Sequence, residues 1–216
     1  TANSHVPVLY GALTPEALQH VATWEEVDRL YLDSVNESDM GVSRVATGAI
    51  ILENFVGITG AGERVAQIEV GGRVASGNPF LSGITQDTTF VCNSAGAHST
   101  GVAGVIRSTD TTQRGIAPGV TLWAGGSCGG STSELQNRSS AAAVWGATAM
   151  NLSWGSNTNL VVGPNERFYD DYVFNSWFTV VKSAGNLGEF NGNVTSPGLA
   201  YNILTVGNYD HHDTNG

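Results

Sequence analysis

The sequence predicts an α/β domain, a parallel sheet covered by helices on both faces, and three observations carry that expectation. Apolar runs at residues 65–70, 120–124 and 149–152 are short and flanked by turn residues, as buried parallel strands are. Longer stretches with apolar residues at helical spacing separate them. Finally, Glu69, Ser153 and Asn186 each sit at or just after the end of an apolar run. In open parallel sheets the chemistry gathers there, at the carboxyl ends of the strands.

Residues 13–22 predict a helix, with Thr14 as cap, Pro15 at the first helical position and Glu16 in the first turn. Leu18, Val21 and Ala22 then recur at helical spacing, and residues 27–33 alternate as a strand does. Residues 1–35 therefore read as a short α+β appendage, 36–54 as a linker and lead-in, and 55–216 as the main domain. Within the latter, strands are expected at 65–70, 120–124, 149–152, 178–183 and 203–206. Helices are expected at 99–106, where Ala103 and Gly104 permit close packing, at 133–147 and at 171–177. The helix at 133–147 has Ser133 as cap and Leu135, Ala142, Val144 and Trp145 facing inward.

Composition removes several classes of function. The net charge is −10, and Lys182 is the single lysine, which argues against nucleic acid and anionic membranes as partners. No apolar run approaches the ~18–20 residues of a membrane span. The surface is rich in hydroxyls and poor in lysine, and the amino terminus carries no signal-peptide pattern, so a secreted protein with any signal removed is expected. Cys92 and Cys128 match no zinc spacing and leave two readings open, one disulfide or two free thiols.

One stretch is richest in chemistry. Residues 97–106 read Ala-His-Ser-Thr-Gly-Val-Ala-Gly-Val-Ile, an imidazole at the mouth of a small and apolar run. Glu69 lies upstream and Asn186 downstream, so carboxylate, imidazole and side-chain amide occur in the order that serves attack on a carbonyl by an activated hydroxyl. In that reading His98 is the general base, Glu69 orients it, and Asn186 donates to the developing oxyanion. Against it stand a helix-capping histidine and an acid elsewhere, for which Asp87 is the candidate. The pair His211-His212 with Asp213 suggests a metal less strongly, because adjacent side chains in an extended segment point to opposite sides.

Six ordered blocks then give the chain a resemblance. Residues 57–69, ending Val-Ala-Gln-Ile-Glu69, look like the "GxTGxGVxVAVID" strand of the subtilisin-like serine proteases. His98-Ser-Thr-Gly-Val-Ala-Gly104 resembles "HGTHVAG", with Gly101 where the family has its second histidine. Gly115-Ile-Ala-Pro-Gly-Val-Thr-Leu122 is similar to "GVAPxAxL", Met150-Asn-Leu-Ser-Trp-Gly155 to "INMSLG", and Val180-Val-Lys-Ser-Ala-Gly-Asn186 to "VVAAAGN". Residues 196–207 look like "YPAxxxNVITVGA".

The resemblance implies a serine endopeptidase acting on polypeptides, with Glu69 in place of the family's aspartate. Glycines 71 and 72 would give the longer side chain room. It implies that Ser153, Trp154 and Gly155 face Ser183, Ala184 and Gly185 as the two walls of the pocket for the residue before the cleaved bond. Bare glycines there suggest tolerance of a large apolar side chain. Gly129, Gly130 and Ser131 would offer an edge to which the substrate adds as a strand. Residues 1–35 look like the tail of an inhibitory propeptide. No cofactor is implied, and structural calcium is possible. The family's "GTSMAxP" block, which carries the nucleophile, has no counterpart, and Ser127, Ser131 and Ser196 stand in the wrong context. A C-terminal segment or second chain carrying that serine is the partner expected. The competing reading is an inactive pseudoprotease or peptide-binding module on the same fold.

Overall fold

Every described strand of the main domain runs the same way. The computed structural model describes residues 14–25, 27, 39–89, 92, 94–157, 161–186 and 194–207, with only the backbone described for 39–42. The chain divides into two units, Thr1–Glu37 and Ser38–Gly216. In the first, helix α1 (Pro15–Val21) starts as its sequence dictates, the Thr14 side chain accepting the Ala17 N–H at 3.2 Å ahead of Pro15. No residue of α1 is buried. The strand expected at 27–33 lies, beyond Val27, outside the described residues.

The second unit is built on a six-stranded parallel sheet among the described residues: β1 (Arg64–Val70), β2 (Thr85–Gln86), β3 (Thr121–Ser127), β4 (Ala149–Leu152), β5 (Thr179–Ser183) and β6 (Leu204–Val206). Their order across the sheet is β2-β3-β1-β4-β5-β6. The central strand, β1, registers Glu69 against Gly126 of β3 and Ile68 against Leu152 of β4. The predicted parallel α/β class is the observed one.

Alternation along the strands sorts two cores. On one face Ala66, Ile68, Trp123, Met150, Leu152 and Val180 pack under α5 (Thr132–Trp145) and α6 (Pro164–Ser176), which contribute Leu135, Ala142 and Tyr169. On the other face Leu122 and Ala124 meet Ala103 of α4 (Ala97–Arg107), with Val65 and Ile106 packed alongside. Helices thus lie on both faces. However, α4 serves only the β1–β3 half of its face.

Four local features differ from the expectation. Most of the described part of residues 36–54, read as linker and lead-in, is helical: α2 (Asp39–Ala46), α3 (Ala49–Ile51) and a π-turn over Leu52–Val56 that runs on into the main domain. Glu53 in that turn receives Arg44 and Arg114, the latter through Nη2 at 2.6 Å. These two side-chain hydrogen bonds bring its carboxyl down to about 2. The helix expected at 171–177 begins seven residues earlier, because Pro164 opens it and the Glu166 carboxylate accepts the Gly163 N–H at 2.8 Å. Strand β2 escapes a periodicity argument because two residues cannot show a period. Val144, predicted to face inward, is 90 % exposed, while Leu135 and Ala142 of the same helix are buried and Trp145 packs against the core. An apolar residue next to the inward stripe reads like a member of it.

Candidate active site

The site grows from the last residues of β1. Gln67 and Glu69 share the face that meets α4, and both are buried polar groups. Gln67 donates through Nε2 to the Ser99 carbonyl at 3.0 Å, and the Ser99 hydroxyl donates to the Gly72 carbonyl at 2.7 Å. Two bonds thus lash the first turn of α4 to the strand end. The approach is close enough that a Cβ on Gly72 would lie 2.5 Å from the Gly96 nitrogen, so glycine is the residue that fits.

That approach sets His98, the second residue of α4, with Nδ1 2.9 Å from Glu69 Oε2. The imidazole is 62 % exposed and the carboxylate 1 %. Burial pushes the Glu69 carboxyl up to about 8, while the Ser153 backbone N–H and hydroxyl pull it back down. Neither carboxylate oxygen has a well-aligned hydrogen bond, so those contacts offset only part of the desolvation. Glu69 is therefore a high-energy anion that a cation on His98 would relieve. Asp87, the alternative acid, is instead paired with Arg138 Nη1 at 2.9 Å.

The remaining predicted residues cluster after the neighbouring strands. Ser153 follows β4, and its hydroxyl accepts from Asn151 Nδ2 at 2.8 Å. Trp154 is half-buried against the core, its ring centroid 6.4 Å from that of Tyr169, with a buried and unpaired Nε1. Ser183 ends β5; Ala184 then donates its N–H to the Val206 carbonyl at 2.7 Å and accepts that of Thr195 at 2.9 Å. Gly185 has φ +118°, a backbone that favours glycine, and Asn186 beyond it is exposed. After β3, the Ser131 N–H donates to Ser127 Oγ at 3.0 Å, and that hydroxyl donates to Glu134. A disulfide joins Cys92 to Cys128, deciding between the two readings of the thiols.

The structure thus brings Glu69, His98 and Ser153 into contact and lines up the others along the carboxyl edge of one parallel sheet. Two neighbours escaped the sequence reading, Thr195 and Lys182. A lysine inside an apolar strand was the signal for the second. Among the described residues no group of three His, Cys, Asp or Glu side chains is placed to hold a metal. His211, His212 and Asp213 lie outside the described residues.

With this geometry in view, the chain can be set beside known proteins. Residues 84–215, more than half of it, match the model of the subtilase family of peptidases, and the chain belongs to that family. No curated protein sequence matches it. Among solved structures it is similar to the self-cleaved protease domain of PatA, with 26% identity over 71% of this chain and 60% of that one and a TM-score of 0.59. The Prenylagaramide maturation protease PagA shares 22% identity over 74% of this chain and 59% of that one, with a TM-score of 0.60. MycP1 with the N-terminal propeptide removed shares 24% identity over 71% and 51%, with a TM-score of 0.53. The chain therefore spans about three fifths of the PatA and PagA structures. No helix among the described residues is long and apolar enough to cross a membrane.

Proposed function

We propose that the protein is a secreted serine endopeptidase in which Glu69, His98 and Asn186 are catalytic and the nucleophilic serine is supplied from outside this chain. The contact at 2.9 Å between Glu69 and His98 Nδ1 carries the reading. A carboxylate on Nδ1 keeps the proton there and leaves Nε2 as the lone-pair base. Nε2 takes the serine proton as the hydroxyl attacks the scissile carbonyl. The imidazolium so formed is stabilised by the buried Glu69, whose unfavourable anion gains the cation it lacks. The Asn186 amide donates to the oxyanion, and His98 returns the proton to the leaving amine.

An extended polypeptide would add to the edge at Gly129, Gly130 and Ser131. Its side chain before the cleaved bond would lie between Ser153, Trp154 and Gly155 and the facing Ser183, Ala184 and Gly185. Residues 1–35 are read as the end of a propeptide, 36–54 as the linker and lead-in, and 55–216 as part of the catalytic domain. Two observations support a serine from elsewhere. Among the described residues no hydrogen bond joins a serine hydroxyl to His98, and the α4-side face of β4–β6 has no helix upon it: Leu204 and Val206 are 60 % and 53 % exposed.

The test is mass spectrometry under denaturing conditions after exposure to a fluorophosphonate probe. This chain alone should stay unlabelled, and a preparation that includes the proposed C-terminal segment or second chain should carry one label there. Absence of label from that preparation, with the Glu69–His98 pair intact, would favour the inactive peptide-binding alternative.

A further inference from the structure

Strand β5 carries a residue that its core does not need. Lys182 is wholly buried, on the same side of the strand as Val180. Its ammonium donates to the Ser183 carbonyl, to Ser183 Oγ at 3.3 Å and to Thr195 Oγ1 at 3.1 Å. All three partners are neutral. Among the described residues no carboxylate stands within ion-pair distance of it, and burial lowers its pKa to about 8. A buried cation without a counter-charge costs stability that an apolar side chain of equal volume would not.

What lies in front of the ammonium gives it a use. Thr195 closes the space between the two proposed pocket walls. A Cβ on Gly155 would collide with its hydroxyl, and one on Gly185 would sit 2.8 Å from its Cγ2 and 2.9 Å from its Oγ1. Thr195 Oγ1 accepts from Lys182 and donates to the Ala184 carbonyl at 3.2 Å. The floor is therefore a hydroxyl with a positive charge directly behind it, next to a second hydroxyl on Ser183. A large apolar side chain finds neither depth nor an apolar base there. A short carboxylate finds the free O–H of Ser183, a Thr195 hydroxyl that can turn its proton from the Ala184 carbonyl, and a desolvated cation whose field is strong where water is excluded.

Resting on the reading of this cleft as a peptide site, we propose that Lys182 is a specificity-determining residue. Together with Thr195 and Ser183 it makes the pocket before the cleaved bond short and positive, selecting aspartate first, then other short acceptor-bearing side chains, over large apolar ones. Lys182 touches no substrate atom; it acts through the two hydroxyls it orients and through its charge.

The experiment is equilibrium binding of product-like peptides, identical except for a C-terminal Asp, Asn, Glu, Ala, Leu or Phe, to the full chain. Aspartate should bind about tenfold tighter than Leu or Phe, with Asn between them. Lys182→Met should erase the Asp-over-Asn difference while circular dichroism stays unchanged. Thr195→Gly, which deepens the pocket, should move the preference from Asp towards Glu and raise Phe affinity severalfold, and it decides the matter if Lys182→Met does not fold. An apolar ranking in the unmodified protein, or an Asp-over-Asn ratio untouched in folded Lys182→Met, overturns this inference alone. Failure of every peptide to bind removes the peptide-cleft reading and this inference with it.

Discussion

The two faces of the sheet bury their residues differently. Beneath α5 and α6, Met150 and Val180 are 1 % exposed and Leu152 is fully buried. One residue along the same strands, on the α4 side, Asn151 and Val181 are only half-buried, and Leu204 and Val206 of β6 are open. Strands in an all-parallel sheet are ordinarily covered on both sides. The contrast separates two tasks. Stability resides on the face that is fully packed, whereas the other carries Glu69 and His98 beside a region that no described helix covers.

The contrast can be tested, beginning with the largest effect. If the proposed serine is supplied, replacing His98 by Ala should lower kcat by about 10⁴-fold with the melting temperature nearly unchanged, because the imidazole is exposed and packs little. Loss of stability as well as turnover would show that the chemistry face also holds the fold. Leu152→Ala should cost about 2–5 kcal/mol in denaturant unfolding, and Val181→Ala, one face away, less than about 1 kcal/mol. Equal costs would abolish the distinction.

Removing both cysteines should lower stability by about 3–4 kcal/mol, since the Cys92–Cys128 bridge closes a separation of 36 residues. Glu69→Gln should do the opposite. The folded protein raises the Glu69 pKa from 4.5 to about 8, so the stability that goes with its protonated carboxyl is fully present below pH 4.5 and is lost as pH rises through 8. The variant should match the parent at pH 4 and exceed it at pH 9 by on the order of 5 kcal/mol, while turnover falls. Smallest of all, Leu204→Ser should change the stability of this chain by less than about 0.5 kcal/mol, because the side chain is exposed.

These regions were unequally legible in the sequence. The packed face wrote itself into β4 and β5 as Met150, Leu152 and Val180, and the parallel class followed from those short runs. Glu69, His98 and Ser153 could be nominated because each sits where an apolar run ends. Their mutual distance could not be read, since it depends on Gly72 lying against Gly96 across the fold. Val144 reads as inward because a helical stripe has soft edges, and the start of α6 is hidden because Pro164 and Glu166 mark it by capping rather than by apolar spacing. The floor of the proposed pocket was least legible. Bare glycines at 155 and 185 suggest room, and only the folded chain places Thr195 in that room with Lys182 behind it.

One further consequence lies in the bridge between Cys92 and Cys128. All of α4 and β3 lies between its two ends, including the exposed residues Thr111, Thr112 and Gln113 that offer themselves to another protease. A backbone cut there leaves His98 on one fragment and the edge at Gly129 to Ser131 on the other, still covalently joined. Such nicked molecules would run as one band on a non-reducing gel and as two after reduction. Damage at that loop would thus pass unnoticed until a thiol arrived.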